Sequence, residues 1–357
     1  MSTVIEKAAP FTHAPTSVQR TMTLVLAALV PATAFDIWLF GWPALFMFVL
    51  TIGFCLGLEA LCLHLTHKPL QPTLFDGSAA LTGWLLAMSL PPWAPWWLCL
   101  IAALFAICLA KHVFGGLGQN VFNPAMVGRV AVLVSFPLQM TAWIKPNAAP
   151  GFADSLAITF GHFSGLDTVS AASALGYVKT ELSKGVPVSQ SMAEFANHFS
   201  LVDMLTGSHP GSFGETSAVL ILLGGLVLLY KRVISWHIPV AVLGTLFALG
   251  TVFSALDPAR FTSGTFQLVS GATFLGAFFI ATDYVTSPVS KQGQLVYGFG
   301  IGFLTWVIRT FAGYPEGMAF AVLLMNALTP IIDTHVRPRA FGRTRKGEPL
   351  TLTKGEK

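Results

Sequence analysis

The 357-residue chain is 54% hydrophobic and only 10% charged, with a mean hydropathy of +0.69. A soluble domain carries about 25% charged residues, so this composition excludes an ordinary water-soluble enzyme and points to a chain that crosses a membrane many times. The formal net charge of +4 comes largely from a C-terminal cluster, Arg337, Arg339, Arg343, Arg345 and Lys346, which reads as a cytoplasmic membrane flank and not as a nucleic-acid patch.

Residues 1–20 are a polar tail with no short apolar run before a small-residue cleavage site, so no cleaved leader is expected. A first span is predicted over Thr21–Phe40 and a second over Pro43–Leu63; a polar link from His64 to Asp76 leads to a third over Gly77–Pro91. The fourth covers Trp96–Val113, the loop GGLGQNVFNPA follows, and the fifth covers Met126–Met140. Residues 141–216 are the only long hydrophilic segment before the second set: Ser217–Tyr230, His237–Phe253, Phe266–Thr282, Leu295–Ala312 and Met318–Ile332. Several of these are shorter than the roughly 20 residues that cross a bilayer, and short spans survive only where protein or a cavity shelters their ends.

Charge then sets the orientation. With the N-terminus inside, the inner loops hold Lys68, Lys111, Lys231 with Arg232, and Lys291, while the outer turns FGW, PPWAPW and GYPEG hold no Lys or Arg and Arg260 is the exception. The positive-inside rule places both termini in the cytoplasm and residues 141–216 on the far side. The expected fold is therefore an all-α polytopic membrane protein of about ten transmembrane helices in two inverted five-helix repeats. Its parts are the tail 1–20, a repeat over 21–140, the outer segment 141–216, a repeat over 217–333 and a basic tail over 334–357. Asn123-Pro124-Ala125 in one half is echoed by Asn326 and Pro330 in the other.

Two stretches carry more small and polar residues than lipid contact requires. Leu268–Ser287 contains Ser270, Gly271, Thr273, Gly276, Thr282 and Asp283, and Gly77–Trp97 has a similar Gly-Ser opening, Thr-Gly pair and proline-rich end. Such matched short, Gly/Pro-marked spans suggest two related halves with a site between them. Asn120 and Asn123 lie in the glycine-rich loop ahead of Pro124. Their amides suit the edge of a heterocycle, and Asn123 also suits a helix cap with Pro124 in the first turn. Arg129 and Glu59 fall inside spans, where a charge normally faces a cavity or a partner; His64 is a candidate partner for Glu59. Asp283 is a candidate cation or proton relay, or a boundary carboxylate in water. Ser212 and Glu215 fit a capping box, beside which backbone amides can hold a phosphate. Hydroxyl anchors are offered by Ser270–Thr273 and by the run Leu166–Leu175. Cys55, Cys62, Cys99 and Cys108 lie in apolar runs without a CxxC, so a four-cysteine cluster within this chain alone is not expected and no metal site is assigned.

The blocks GGLGQNVFNPAMVGR, SGATFLGAFFIATD, FAGYPEGMAFAVLLMNALTPIID and PPWAPWW closely resemble the D-subunit family of Rnf (Rsx) electron-transport complexes, related to the B subunit of the sodium-pumping NADH:quinone reductase. The resemblance implies a multi-pass inner-membrane protein, one part of a translocase that moves electrons between NADH and ferredoxin coupled to Na⁺ or H⁺. It implies partner subunits of the A, B, C, E and G types and membrane lipid, but no nucleic acid. It also implies covalent FMN on a threonine in a motif like S-x-A-T-P-L. The matching stretch here is Ser170–Leu175, so the acceptor position is Ser173, with Ala174 at the proline position. Thr273, in the SGAT block, ranks lower because it falls within a span. Asn120 and Asn123 match a riboflavin-contacting pair, which makes them the residues for a second flavin; Asp283 and Glu59 are the ion-coupling candidates. Two rival readings are a small-solute channel or transporter on the same plan and a quinone-binding scaffold without flavin.

Overall fold

The structure is a computed structural model in which residues 17–148, 150–161, 170–198, 200–314 and 316–337 are described. The N-terminal tail through residue 16, the hydroxyl-rich residues 166–169 and the basic tail beyond Arg337 lie outside the described residues.

In chain order the main helices of the first half are α1 (Val18–Phe40), α2 (Trp42–Leu65), α3 (Ser78–Ser89), α4 (Trp96–Ala103) and α5 (Pro124–Ser135). The fourth runs on as a π-helix over Leu104–His112. The long connecting segment then folds as α6 (Phe152–Phe160), α7 (Ala174–Ser183), α8 (Val188–His198) and α9 (Leu201–Thr206). The second half holds α10 (Ala218–Tyr230), α11 (His237–Leu256), α12 (Gly264–Val269), α13 (Lys291–Phe311) and α14 (Met318–His335). Among the described residues, α1, α2, α11 and α14 are long and apolar enough to cross a membrane, and α3, α4 with its π extension, α5 and α10 are shorter apolar helices. The chain is thus a mainly helical, multi-pass membrane protein; one two-residue antiparallel ladder pairs Trp143 with Ala171 and Ile144 with Ser170.

The connecting segment caps one face of the bundle. Asn147 N–H donates to Leu39 O (3.1 Å) and Val188 N–H to Ala259 O (2.7 Å). Phe152 meets the rings of Trp42 and Phe46 edge-on at 5.6 and 5.7 Å, and Lys179 Nζ donates to Tyr314 O at 2.9 Å. The other helix ends meet on the opposite face: Lys68 Nζ donates to Gly115 O at 2.7 Å, and Ser235 Oγ to Gln294 Oε1 at 2.6 Å. Consecutive long helices therefore run up and down between two faces.

Helices pack closely where glycine permits. A Cβ on Gly128 of α5 would stand 2.5 Å from Ala102 O, and one on Gly224 of α10 would collide with Ala28 O of α1. In lipid, where apolar surface gives no net drive to associate, such backbone approach is what holds helices together. α10 packs on α1 and α14 on α5, so the two halves interlock.

The predicted Phe266–Thr282 span is broken into three pieces. α12 ends at Val269, Ser270 is extended and Gly271 has φ +65°; a short turn over Thr273–Leu275 then runs into a π-helix over Gly276–Ile280. The predicted Met126–Met140 span also stops early, at Ser135, because Pro137 supplies no N–H to continue it. The end of the connecting segment is not a solvated loop: residues 209–218 are buried. Phe213 stacks between Phe40 and Phe48 with centroids 6.2 and 6.3 Å apart, and Gly214 N–H donates to Met88 O at 2.5 Å.

Candidate functional site

The Gly77–Trp97 and Leu268–Ser287 stretches meet across a cavity of about 610 Å³ on the face opposite the connecting segment. Its polar lining includes Ser78, Thr82, Lys111, Asn120, Asn123, Thr282 and Asp283; Leu81, Leu85, Leu228, Phe278 and Phe279 supply apolar walls, and the first turns of α1 close one side. Small-molecule sites typically span roughly 300–1,000 Å³, mostly apolar with a few placed polar groups, so size and lining suit a flat heterocycle.

Two of these wall positions follow from local sequence. Asp76 Oδ1 accepts from Ser78 N–H at 2.7 Å behind a left-handed Gly77, which starts α3 with Ser78 at its tip. Asn123 Oδ1 caps α5 by accepting from Met126 N–H at 3.3 Å, and its Nδ2 lies 3.4 Å from Ile280 O. The capping role foreseen for Asn123 is therefore present, and most of its amide is engaged. Asn120 is freer: one amide hydrogen goes to Phe122 O at 3.1 Å, leaving a second hydrogen and the acceptor oxygen for a ligand edge. The sequence echo between the halves is also a contact. With the Asn326 amide turned to satisfy its neighbours, its oxygen accepts from Asn123 N–H at 2.9 Å and its nitrogen donates to the Tyr297 hydroxyl at 2.5 Å.

Asp283 and Glu59 differ in kind. Asp283 lines the cavity and accepts only from Val285 N–H (3.4 Å) and the Thr286 hydroxyl (3.1 Å), with no cation at ion-pair distance among the described residues. Glu59 is fully buried. It pairs with Lys111 Nζ at 2.8 Å and His112 Nε2 at 3.0 Å, not with His64 as expected. His64 lies one turn beyond Glu59 on α2, whereas the π-helix of α4 carries Lys111 and His112 inward. Lys111, expected in an inner loop, is therefore buried, and it also donates to Ser78 Oγ at 2.8 Å. Glu59 reaches the cavity wall only through Lys111, with its charge already met.

The candidate hydroxyls are committed elsewhere. Ser173 is 1% exposed, and its Oγ caps α7 by accepting from Gly176 N–H at 3.2 Å. In this arrangement the hydroxyl is not presented for attachment, so the surroundings of Ser173 do not fit a phosphodiester unless the cap opens. Thr273 is fully buried, donates to Ser270 O at 2.9 Å and accepts from Arg309 Nη2 at 2.9 Å.

A second polar cluster lies toward the capped face. Glu215 Oε1 accepts from Gly271 N–H at 2.7 Å. Arg309 donates to Gln267 O (2.7 Å) and Ser270 O (3.0 Å), and Arg129 donates to Ser89 O and pairs with Glu316. These charges serve the broken backbone at residues 270–272 and the end of α3. The capping box foreseen for Ser212 and Glu215 is only half made: Glu215 Oε2 accepts from Ser212 N–H at 3.3 Å, but Ser212 Oγ has no partner among the described residues. Glu215 is drawn away to Gly271, and α10 begins later, at Ala218. Sequence reasoning did not single out Arg309, Glu316 or Asp36; for Arg309 and Asp36 an ionisable residue inside an apolar run is the signal, whereas Glu316 sits in the GYPEG turn and carries none.

The pattern of the NQR2, RnfD, RnfE family matches residues 5–342 of the chain. The chain is 48% identical over 349 residues to the D subunit of the ion-translocating oxidoreductase complex of Halorhodospira halophila, covering 96% of this chain and 97% of that protein. Its counterpart in Stutzerimonas stutzeri is 50% identical, with 95% and 96% covered. The one in Rhodobacter capsulatus is 51% identical, with 94% of each covered.

Proposed function

The chain belongs to the NQR2, RnfD, RnfE family, and from this premise we propose that it is the flavin-carrying membrane subunit of an Rnf-type complex. In this reading it conducts electrons between NADH and ferredoxin while Na⁺ or H⁺ crosses the bacterial inner membrane. It acts as one subunit of a translocase beside partners of the A, B, C, E and G types. The proposal includes ten passes in two inverted five-helix repeats, with both termini cytoplasmic and the connecting segment outside.

One observation carries the reading: the cavity of about 610 Å³ brings Asn120, Asn123 and Asp283 from the two halves to one wall. A flavin bound there would supply one- or two-electron chemistry. Asn120 would meet the ring edge with its remaining amide groups, Asn123 would hold the loop in register as a cap, and Phe278 and Phe279 would exclude water. Asp283, without a cationic partner, is the group whose cation affinity a nearby change of charge would alter, whereas Glu59 is already compensated by Lys111.

Flavin content of the purified complex tests this. Asn120→Ala is expected to release the non-covalent flavin with the complex still assembled, and Asn123→Ala to weaken it through the lost cap. Wild-type flavin content in both variants would sink the second-flavin site. Peptide mass spectrometry across residues 170–183 tests FMN attachment at Ser173: an FMN-phosphoryl mass there shows that the cap opens for modification, and an unmodified peptide removes the covalent link. A complex that is colourless yet conducts a small solute would replace the electron-carrier reading with the transporter one.

A further inference from the structure

We propose that Asp36 is a proton-binding site, a carboxylic acid held neutral between α1 and the buried 209–217 segment. Asp36 lies four residues from the end of α1 and is 0% exposed. Its Oδ1 stands 2.5 Å from Thr216 Oγ1 and 3.3 Å from Ser217 Oγ, and Thr216 Oγ1 is also 3.0 Å from Phe213 O. Among the described residues, Asp36 Oδ2 has no hydrogen-bond partner and none of the ion pairs includes Asp36.

Counting hydrogens decides the protonation state. A hydroxyl has one hydrogen to give. If Asp36 is ionised, Thr216 spends that hydrogen on the carboxylate and leaves its short contact to Phe213 O unmade. If Asp36 carries the proton, Asp36 donates to Thr216 Oγ1 and Thr216 donates to Phe213 O, while Ser217 donates to the acid. Every close contact then holds a hydrogen. The lone Oδ2 agrees: a buried neutral carbonyl without a partner costs far less than a buried, unpaired half of a carboxylate. Among the described residues, the surrounding elements offer no counter-charge. On α1 itself, Arg20 is about four turns away. On the 209–217 segment, Glu215 is turned to Gly271 and Ser212, and His209 is separately buried. On α2, Glu59 is paired with Lys111.

A neutral acid inside the helical body is a stopping point that a proton crossing this subunit can use, and it stands whether or not a flavin occupies the cavity. Infrared difference spectroscopy of the membrane-reconstituted complex, wild type against Asp36→Asn, tests it in H₂O and D₂O. The expected result at neutral pH is a protonated-acid carbonyl band that shifts in D₂O and is lost in Asp36→Asn. Loss of carboxylate bands instead, with the acid region unchanged, would overturn the proposal. If that variant fails to assemble, Thr216→Val serves: an acid that donates to Thr216 must move to higher frequency when the acceptor is removed, and an unmoved spectrum is contrary. Replacing K⁺ by Na⁺ at constant pH should leave the band in place; its disappearance would mean that Asp36 takes a metal cation in place of the proton.

Discussion

Removing Arg309 exposes what holds the broken span together. Its guanidinium donates to Gln267 O at 2.7 Å, Gln267 Oε1 at 3.2 Å, Ser270 O at 3.0 Å and Thr273 Oγ1 at 2.9 Å. Two of these acceptors are main-chain carbonyls freed by the interruption at residues 270–272. In Arg309→Leu the Thr273 hydroxyl still donates to Ser270 O, but Gln267 O and the buried Gln267 Oε1 lose their donor, at about 1–3 kcal/mol each, or about 2–6 kcal/mol together. Relief from burying the guanidinium offsets part of this, leaving a net loss of about 2–4 kcal/mol. With an unfolding entropy of about 2.1 cal/mol/K per residue, the 357-residue chain has about 0.75 kcal/mol/K. The thermal midpoint should therefore fall by about 3–5 °C. Tryptophan fluorescence of the purified complex in detergent reads it, with limited proteolysis reporting opening near residues 264–276. Arg309→Lys, which keeps the charge but not the fork, should fall in between. If the Leu variant melts with the wild type, the guanidinium is not what satisfies the break.

His209 lies in the connecting segment, and burial pushes its imidazole from 6.5 down to about 4. The unfolded chain takes up a proton between those values and the folded chain does not, so stability falls as pH drops from about 6.5 to 4, by roughly 3 kcal/mol in all. His209→Gln should flatten that part of a pH–melting profile; an unchanged acid limb would assign it elsewhere. Lys111→Met leaves Glu59 a buried carboxylate with only His112 beside it, at a cost of up to about 3–5 kcal/mol, whereas the double variant with Glu59→Gln should recover much of the assembled yield; additive losses would refute a mutual pair. Gly224→Ala, forced against Ala28 O, should cost about 1–3 kcal/mol in the same melting assay. Asp283→Asn should keep the fold, since the amide oxygen can still accept from Val285 N–H while the amide nitrogen donates to the Thr286 hydroxyl, but should change the cation dependence of electron transfer; identical cation titrations would remove Asp283 from coupling.

Most helices were legible because apolar runs bounded by Pro, Gly and charge mark their ends. Trp96, Ser217 and Met318 were placed within a residue of the observed starts. The two stretches rich in small and hydroxyl residues meet across one cavity, because such residues inside a span signal close approach. What sequence could not supply was the partner across space. Glu59 was matched to His64 by local spacing, but the π-helix over Leu104–His112 brings Lys111 and His112 to it from another helix. The small and polar residues around Gly271 are visible in the sequence, but the break there is not, since its stability depends on Glu215 and Arg309, which lie far away in the chain. Asp36 went unremarked because a lone acid near the end of a span reads as a boundary residue until its burial is seen.

The buried charges of this protein fall into groups by what they answer to. Arg129, Arg309 and Glu215 answer to backbone: each bonds a peptide group where a span stops or breaks, so their cost is offset by groups that would otherwise lack partners. Lys111 and Glu59 answer to each other. Asp283 and Asp36 answer to hydroxyls and amides alone. A carboxyl in apolar surroundings whose partners are only neutral groups has no counter-charge to lose, so its charge state can change without breaking an ion pair. These two acids belong to opposite ends of the helical body, Asp283 at the cavity and Asp36 beside the segment that caps the other face. A path for ions through the protein would have to begin and end near such groups. The charges between them are spent on structure, which makes the two acids, and not the more conspicuous ion pairs, the positions at which coupling is to be sought.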